Sequence, residues 1–341
     1  MFDTDTSQAI SGDVTHETLT FDVSIDGFDR KEALAALDKF GAIILRGVFP
    51  EDDIAALADG AQNYLEKPSI AGSFGYYRKD YGKKLVDPFM IGGHSVDVCL
   101  NEWLIDFIEA YMDSECVLSE AFIKEDVPTE YVYFPIHADY APGTIRRSES
   151  DFVITAEALA DPVGVGAALY LADSVEGAFC FCLGTHKLKA PKGQEIDLYD
   201  PEEKQRILST RCRMEGQKGD IVVFDDRGFH GPDQPSPSVR LVMLLDWTRS
   251  QSWDGPAQAA PLRVFTSDLS RLSPKQLRVV GIGARTLGPR DTYHMHTFGQ
   301  RKSGRLAFKL AHRLIEDAFL VNHWKRTIRA RLGRVLSRPR S

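Results

Sequence analysis

A change of period constrains this chain more than any other feature. From about residue 117 the apolar residues recur every second position. They do so in short segments at 117–124, 130–137, 152–159, 165–172, 177–183, 210–214, 220–225 and 239–247. Gly, Pro and Asp clusters bound each segment, which is the punctuation of strands. A period of two sends alternate side chains to opposite faces of a sheet. Eight such strands after a helical start predict a mainly β protein with flanking helices, built as a sandwich or barrel. Nothing alternates strand with helix as a parallel α/β sheet does, and no unit repeats at a fixed period.

The flanking segments have helical period. Asp29 stands as an N-cap with Glu32 three residues on, Ala33, Leu34, Leu37 and Phe40 follow at helical spacing, and Gly41 closes the helix. Ala42 to Leu45 then forms a short buried strand. Further helices are expected over 52–66 and 103–112, with 70–95 as a loop rich in Gly, Tyr and Lys. From Ser303 the helical period returns through Leu310, Leu314, Val321, Trp324, Ile328, Leu332 and Val335. The expected organisation is a β-rich domain with its N-terminal helices over 29–250, an irregular extension with short helices over 251–301, and a basic amphipathic tail over 302–341.

Charge and cysteine usage narrow the partners. The net charge is -8, yet residues 302–341 carry +9, so the rest carries -17. An acidic body is the wrong surface for gripping nucleic acid through its phosphates. The tail has two readings. It is an interfacial helix over 303–338 that dips into an anionic leaflet, or a helix whose apolar stripe packs on the body. The 5 cysteines, an odd number without any C-x-x-C pair, suit a reducing compartment. The acidic, polar N-terminus is no signal peptide, and no run of 18 apolar residues is present. The expectation is a cytoplasmic protein, with the tail for peripheral contact at the inner membrane face.

Two distant segments carry the chemistry. The predicted strand Tyr131-Val132-Tyr133-Phe134-Pro135-Ile136 runs into His137-Ala138-Asp139, and residues two apart on a strand share a face. Downstream, the turn Lys218-Gly219-Asp220 leads into the strand Ile221-Val222-Val223-Phe224, then Arg227-Gly228-Phe229-His230-Gly231-Pro232. After a Pro/Ser turn, Arg240 lies on a strand and shares its face with Val242 and Leu244. A buried guanidinium there needs an anionic partner. Two histidines and one carboxylate, with open positions, make the facial triad of non-haem Fe(II) oxygenases. The open positions suit a bidentate keto acid and dioxygen, and Arg240 suits the distal carboxylate of such an acid.

These pieces resemble the phytanoyl-CoA dioxygenase family of Fe(II)/2-oxoglutarate-dependent oxygenases over about 200 residues, from Gly41 to about Arg249. The matching segments are Phe40-Gly41-Ala42-Ile43-Ile44-Leu45-Arg46-Gly47-Val48-Phe49, His137-Ala138-Asp139, the stretch from Leu171 through Gly177 and Gly184-Thr185-His186 to Lys187, Lys218-Gly219-Asp220, His230 and Arg240. The resemblance implies a double-stranded β-helix core, a cupin-like jelly roll. It also implies Fe(II) held by His137, Asp139 and His230, and the 2-oxoglutarate distal carboxylate held by Arg240. There are departures. Leu183 stands where the family often has Pro, and only Gly177 stands where it often has two glycines. The carboxylate at Asp139 argues against the halogenase variant of the fold. The implied reaction is hydroxylation of a substrate C–H with release of succinate and CO2. The substrate class is a small molecule or a glycan- or lipid-linked metabolite. The Lys79, Lys83 and Lys84 cluster points to an anionic one, although a solvated face is the commoner origin of such clusters.

Plainer readings stand beside these. His137 and Asp139 are a strand-end hydrogen-bonded pair, His230 is a turn histidine, and Arg240 pairs with Asp225 or Asp246. His186 is structural or near the mouth of the site. Tyr131, Tyr133 and Tyr140 line the pocket or pack in the core. His94, His294 and His296 have no third ligand at a recognisable spacing. Leu277 to Thr286 opens like a dinucleotide fingerprint but lacks its third glycine and a surrounding βαβ unit. The alternatives to the enzyme are a non-catalytic cupin-like binding module and a zinc hydrolase on a jelly roll. The second leaves Arg240 unexplained. Pocket walls are expected from 70–95, 141–151 and 187–209.

Overall fold

The structure is a computed structural model that describes residues 14–66, 82–85, 88–132, 134–142, 145–146, 152–188, 192–252, 255–256, 268 and 270–281. In chain order the principal elements are β1 (Thr20–Asp22), α1 (Arg30–Phe40), β2 (Ala42–Arg46), α2 (Glu51–Leu65), β3 (Lys83–Leu85), α3 (Gly93–Cys99), α4 (Glu102–Met112), β4 (Cys116–Asp126), β5 (Gly164–Tyr170) and β6 (Ser174–Cys182). They continue with α5 (Pro201–Ser209), β7 (Arg211–Gly216), β8 (Ile221–Asp225), β9 (His230–Pro232), β10 (Arg240–Arg249) and α6 (Pro274–Val279). A 7-stranded sheet runs in the order β1-β2-β8-β5-β10-β4-β3, and a 3-stranded sheet in the order β9-β6-β7. Every pairing in the two sheets is antiparallel except β1 with β2. This is the two-sheet β core expected from the period-two pattern, in the jelly-roll form that the family resemblance implies.

In the middle of the large sheet, β5 and β8 are buried at every position and β2 at all but Arg46, so these three read as nearly continuous apolar runs. One face, with Ile43, Leu45, Leu169, Val223, Met243 and Trp247, packs on helix residues such as Leu37, Leu57, Leu104 and Phe107. The other, with Ile44, Ala168, Tyr170, Val222, Phe224 and Val242, packs on Phe179, Phe181 and Met214 of the small sheet. Along β10 the even positions therefore face inward between the sheets and the odd ones outward to the helices. Leu272, Val279 and Val280 join the helix-side core, so the short helix α6 docks on the same body. Its capping box at Ser273 and Gln276 closes its first turn.

The helix signals were physical. The Asp29 carboxylate accepts from the N–H of Lys31 and Glu32, and Gly41 ends α1 in the left-handed region at φ 85°. Three expectations need correction. The segment 130–137 forms no strand: Thr129 pairs singly with Ser236, and His137 singly with His230 and Glu195. Pro135, and the facing run with Pro232, Pro235 and Pro237, remove the N–H groups a ladder needs. The segment 152–159 pairs only at Phe152–Val153, then turns through a 3-10 helix at Glu157–Leu159, where the Thr155 hydroxyl accepts from Ala158 N–H at 3.3 Å. The supposed loop 70–95 contains β3 and the start of α3, whose Leu85, Val96 and Val98 are buried in the core. The tail 302–341 lies outside the described residues.

Gly41 offers a test of this frame. Besides its positive φ, a Cβ there would meet His186 Nδ1 at 2.4 Å and Phe181 at 2.6 Å. Gly41→Ala is expected to destabilise the protein by about 1–3 kcal/mol in urea unfolding, from backbone strain alone or more. An unchanged midpoint would show that the α1–β2 corner is not held this way.

Candidate metal centre

The two histidines meet because their backbones pair. His137 N–H donates to His230 C=O at 2.9 Å, and His230 N–H donates to His137 C=O at 2.7 Å. Residues that exchange both bonds lie directly opposite each other with side chains on one side. Their ring centroids are 4.7 Å apart. Each ring is turned the same way. His137 Nδ1 lies 3.0 Å from Pro135 C=O, and His230 Nδ1 lies 3.0 Å from Gly228 C=O. A carbonyl only accepts, so each Nδ1 carries a proton and each Nε2 is left to face Asp139, where it can hold a proton or a metal.

Both Nε2 atoms face Asp139. Its Oδ1 is 3.4 Å from His137 Nε2 and its Oδ2 is 3.3 Å from His230 Nε2. The three ligand atoms lie within 4.8 Å of one another, and among the described residues no other group of three such donors does so. Two donors at about 2.1 Å from one ion and at right angles sit roughly 3 Å apart, so the set fits a first-row metal. Burial disfavours the His137 imidazolium, but the hydrogen bond and charge of Asp139 outweigh it and hold that ring above its usual range. The partial desolvation of Asp139 is outweighed by the His230 and His137 rings, which hold it well below the carboxylate range. A cation at this point replaces those protons.

The surroundings close one side of the centre and open the other. His230 packs on Phe224, Phe179 and Phe181 at centroid distances of 4.6, 5.5 and 6.5 Å, and Phe134 meets His137 edge-on at 4.7 Å. A Cβ at Gly228 would lie 2.1 Å from Phe181, so only glycine lets that ring approach. The Asp139 side chain is 45% exposed against 7% for His230, so the open side is at the carboxylate. Asp139 N–H donates to Asp226 C=O at 3.0 Å, Gln194 Nε2 donates to Asp139 C=O at 2.6 Å, and Ala138 N–H donates to Gln194 C=O at 2.9 Å. The metal motif is thus gripped between β9 and the 193–196 strap, not carried by a strand of its own.

Arg240 is buried on the inner face of β10. Its Nε and Nη2 donate to Asp126 Oδ2 at 2.9 and 2.6 Å, while Lys124 Nζ lies 2.6 Å from Asp126 Oδ1. Two cations thus flank one carboxylate, and Lys124 reaches to 5.5 Å from the ring of Phe134, which touches His137. The partner is neither of the two aspartates considered from the sequence. Asp225 accepts from Arg227 and from the Tyr111 hydroxyl at 2.7 Å. Asp246 faces Asp226, and the two are carboxyls without a basic partner. Burial and the Asp246 charge push Asp226 well above the usual range. Burial, with the Asp139 charge, pushes Asp246 up to about 7.

The remaining candidates scatter. His186 is buried and donates through Nε2 to Asp38 C=O at 2.9 Å, so it pins the end of α1. Tyr131 is half exposed beside the motif, Tyr140 packs on Ile154, Leu159 and Val163, and Tyr133 lies outside the described residues. His94 pairs with Asp53 at 2.6 Å, while His294 and His296 lie outside the described residues. Lys83 and Lys84 point to opposite faces, with Glu125 at 3.2 Å and Glu120 at 3.5 Å, so they do not form one patch; Lys79 lies outside the described residues. Sequence reading passed over Lys124, Asp126, Gln194 and Asp226, and it named Asp246 only as a possible partner of Arg240. The signal available for Lys124 and Asp126 was opposite charge two residues apart, on one face of the strand.

Comparison with known proteins bears on the family and the fold. The family model "Phytanoyl-CoA dioxygenase (PhyH)" matches residues 37–240, and the chain belongs to that family. It is an enzyme of the iron- and 2-oxoglutarate-dependent oxygenase class. Among solved structures, EctD from S. alaskensis with bound Fe is similar at 17% identity and TM-score 0.50, over 66% of this chain and 77% of that one. The epimerase SnoN, in complex with Fe3+, alpha ketoglutarate and nogalamycin RO, is similar at 14% identity and TM-score 0.50, over 65% and 84%. At such identities they speak to the fold. No curated protein matches the chain.

The raised Asp246 carboxyl makes a pH prediction for the metal-free protein. The native state keeps a proton that the unfolded chain loses near pH 4. The group's contribution to stability is therefore full below about pH 4 and is lost as pH rises through about 7. Asp246→Asn should raise the melting temperature relative to wild type, by a margin that grows from pH 5 to pH 8. A margin independent of pH would show that Asp246 ionises normally.

Proposed function

We propose that the chain is a hydroxylase that uses Fe(II) and 2-oxoglutarate to oxidise a C–H bond of a small-molecule or glycan- or lipid-linked metabolite. His137, Asp139 and His230 hold the metal, and Arg240 holds the co-substrate. The observation that carries this reading is the convergence of two Nε2 atoms and one carboxylate on a single point, with both Nδ1 protons tied to carbonyls. Ferrous iron bound there, with 2-oxoglutarate and O2, turns C–H into C–OH as 2-oxoglutarate becomes succinate and CO2.

The chain's own residues bind, orient and exclude. The Pro135 and Gly228 carbonyls fix both imidazoles, so no side-chain entropy remains to be lost when the metal arrives. The three donors leave the opposite coordination positions to small molecules. Phe179, Phe181 and Phe224 form a dry wall behind His230. Arg240, oriented by Asp126 along its Nε–Nη2 edge, clamps the distal carboxylate of the keto acid, with Lys124 adding positive charge at the same place. The expectation of an anionic substrate rested on three lysines acting as one patch. Lys83 and Lys84 face apart, which removes that support. Membrane contact through 303–338 stays a proposal from sequence. Among the described residues no helix is long and apolar enough to cross a membrane.

His137→Ala, Asp139→Ala and His230→Ala should each abolish succinate formation from 2-oxoglutarate while the circular-dichroism spectrum is kept. Turnover in any of them would refute the ligand set. Metal binding without succinate across a broad substrate panel would instead support the non-catalytic module. Arg240→Ala is expected to raise the KM for 2-oxoglutarate at least about tenfold, the cost of leaving a carboxylate without its charged partner. An unchanged KM would take the co-substrate away from Arg240.

A further inference from the structure

The carbonyl that fixes His230 is itself held from behind. Gly228 C=O lies 3.0 Å from His230 Nδ1. It belongs to the same peptide unit as the Phe229 N–H. A trans peptide is planar, with its C=O and N–H pointing in opposite directions, so whatever holds the N–H aims the carbonyl. The Phe229 N–H donates to Thr185 Oγ1 at 2.8 Å, and the Thr185 hydroxyl donates to Cys182 C=O at 2.6 Å. Thr185 is 1% exposed, so water does not compete for either bond.

This hydroxyl stands inside the ladder. β9 and β6 pair His230 with Phe181, so Phe229 faces Cys182 one step along. Cys182 N–H donates to Phe229 C=O at 2.8 Å, the first bond of an antiparallel pair. The return bond runs through the Thr185 oxygen, which has one proton to give and lone pairs that accept. It donates to one strand and accepts from the other. Valine has nearly the same shape and can do neither. Thr185 is fixed in turn. It opens a 3-10 turn, Thr185–Lys187, after Gly184 in the left-handed region at φ 74°. Gly184 N–H donates to Phe40 C=O at 2.8 Å, and His186 Nε2 to Asp38 C=O at 2.9 Å. Two bonds to the end of α1 thus flank the threonine.

We infer that Thr185 is a positioning residue for the metal: its hydroxyl, through the 228–229 peptide, keeps His230 Nδ1 as a donor and sets the angle of the His230 ring. The inference rests on the metal reading of His137, Asp139 and His230 and deepens it by naming the side chain that sets one ligand. The hydrogen bonds run in one line, from His230 Nδ1–H through the 228–229 peptide and Thr185 Oγ1 to Cys182 C=O, and each polarises the next. Without the hydroxyl, Phe229 N–H and Cys182 C=O are left unsatisfied or close on each other directly. Either way the 228–229 peptide turns, and His230 Nε2 leaves the point it shares with His137 and Asp139.

The test uses the full chain and Co(II) under anaerobic conditions, read by calorimetry and by the visible absorption of the complex. Thr185→Val keeps the shape and loses the hydroxyl. Thr185→Ser keeps the hydroxyl and loses the methyl, and Thr185→Ala loses both. Affinity is expected to follow the hydroxyl. Thr185→Val and Thr185→Ala should bind at least about tenfold more weakly than wild type, with shifted Co(II) bands, and Thr185→Ser within about threefold, with bands unmoved. If Thr185→Val does not fold, Thr185→Ser against Thr185→Ala makes the same comparison. Leu57→Ala, a cavity in the helix-side core, controls for lost stability and should change neither affinity nor bands. Equal affinity in Thr185→Ser and Thr185→Ala overturns the inference. So does wild-type binding by Thr185→Val, or an equal loss in Leu57→Ala. A wild-type chain that binds no Co(II) overturns the metal reading itself, and the inference with it. Affinity that follows the hydroxyl in a chain that makes no succinate keeps the inference and removes the hydroxylase reading.

Discussion

The centre depends on one reciprocal backbone pairing, His137 with His230. Two hydrogen bonds at 2.9 and 2.7 Å set residues 93 positions apart directly opposite each other. Everything chemical follows from that pairing. Both rings fall on one side, both Nδ1 protons find carbonyls, and both Nε2 atoms turn to Asp139. The pairing extends no further because the neighbouring chain is rich in proline. The site is therefore an isolated bridge at the end of a three-residue strand, held by packing on Phe179, Phe181 and Phe224 and by the Gln194 strap.

Around this point the sheet distributes charge by parity. The inner positions of β10 carry Arg240 at one end and Asp246 at the other, with Val242 and Leu244 between them. The facing strand β4 answers with Asp126 opposite Arg240 and Glu120 opposite Asp246. The Tyr111–Asp225–Arg227 cluster behind the sheet is saturated with hydrogen bonds and reads as structure.

Much of this was legible in the sequence because it depends on local rules. Asp29 and Gly41 bound their helix as capping chemistry demands, and short apolar segments between turn residues at 117–124, 165–172, 220–225 and 239–247 marked strands found at Cys116–Asp126, Gly164–Tyr170, Ile221–Asp225 and Arg240–Arg249. The three candidate metal donors, which the structure brings together, and Arg240 were named because two histidines, a carboxylate and a distant guanidinium have few other uses together. What escaped was long-range. The strand expected at 130–137 failed because its partner segment carries prolines a hundred residues later. The partner of Arg240 was missed because Asp126 reaches it across a ladder, not along the chain. Asp226 beside Asp246 depends on the absence of side chains at Gly164 and Gly166, and an absence on a third strand leaves no mark in either segment.

The most direct test of the central claim is an iron-edge anomalous diffraction map of the Fe(II)-loaded protein. The account predicts one strong peak within bonding distance of His137 Nε2, His230 Nε2 and a carboxylate oxygen of Asp139, and no peak of comparable height elsewhere. A peak at another place, or iron bound by fewer than these three side chains, would contradict it.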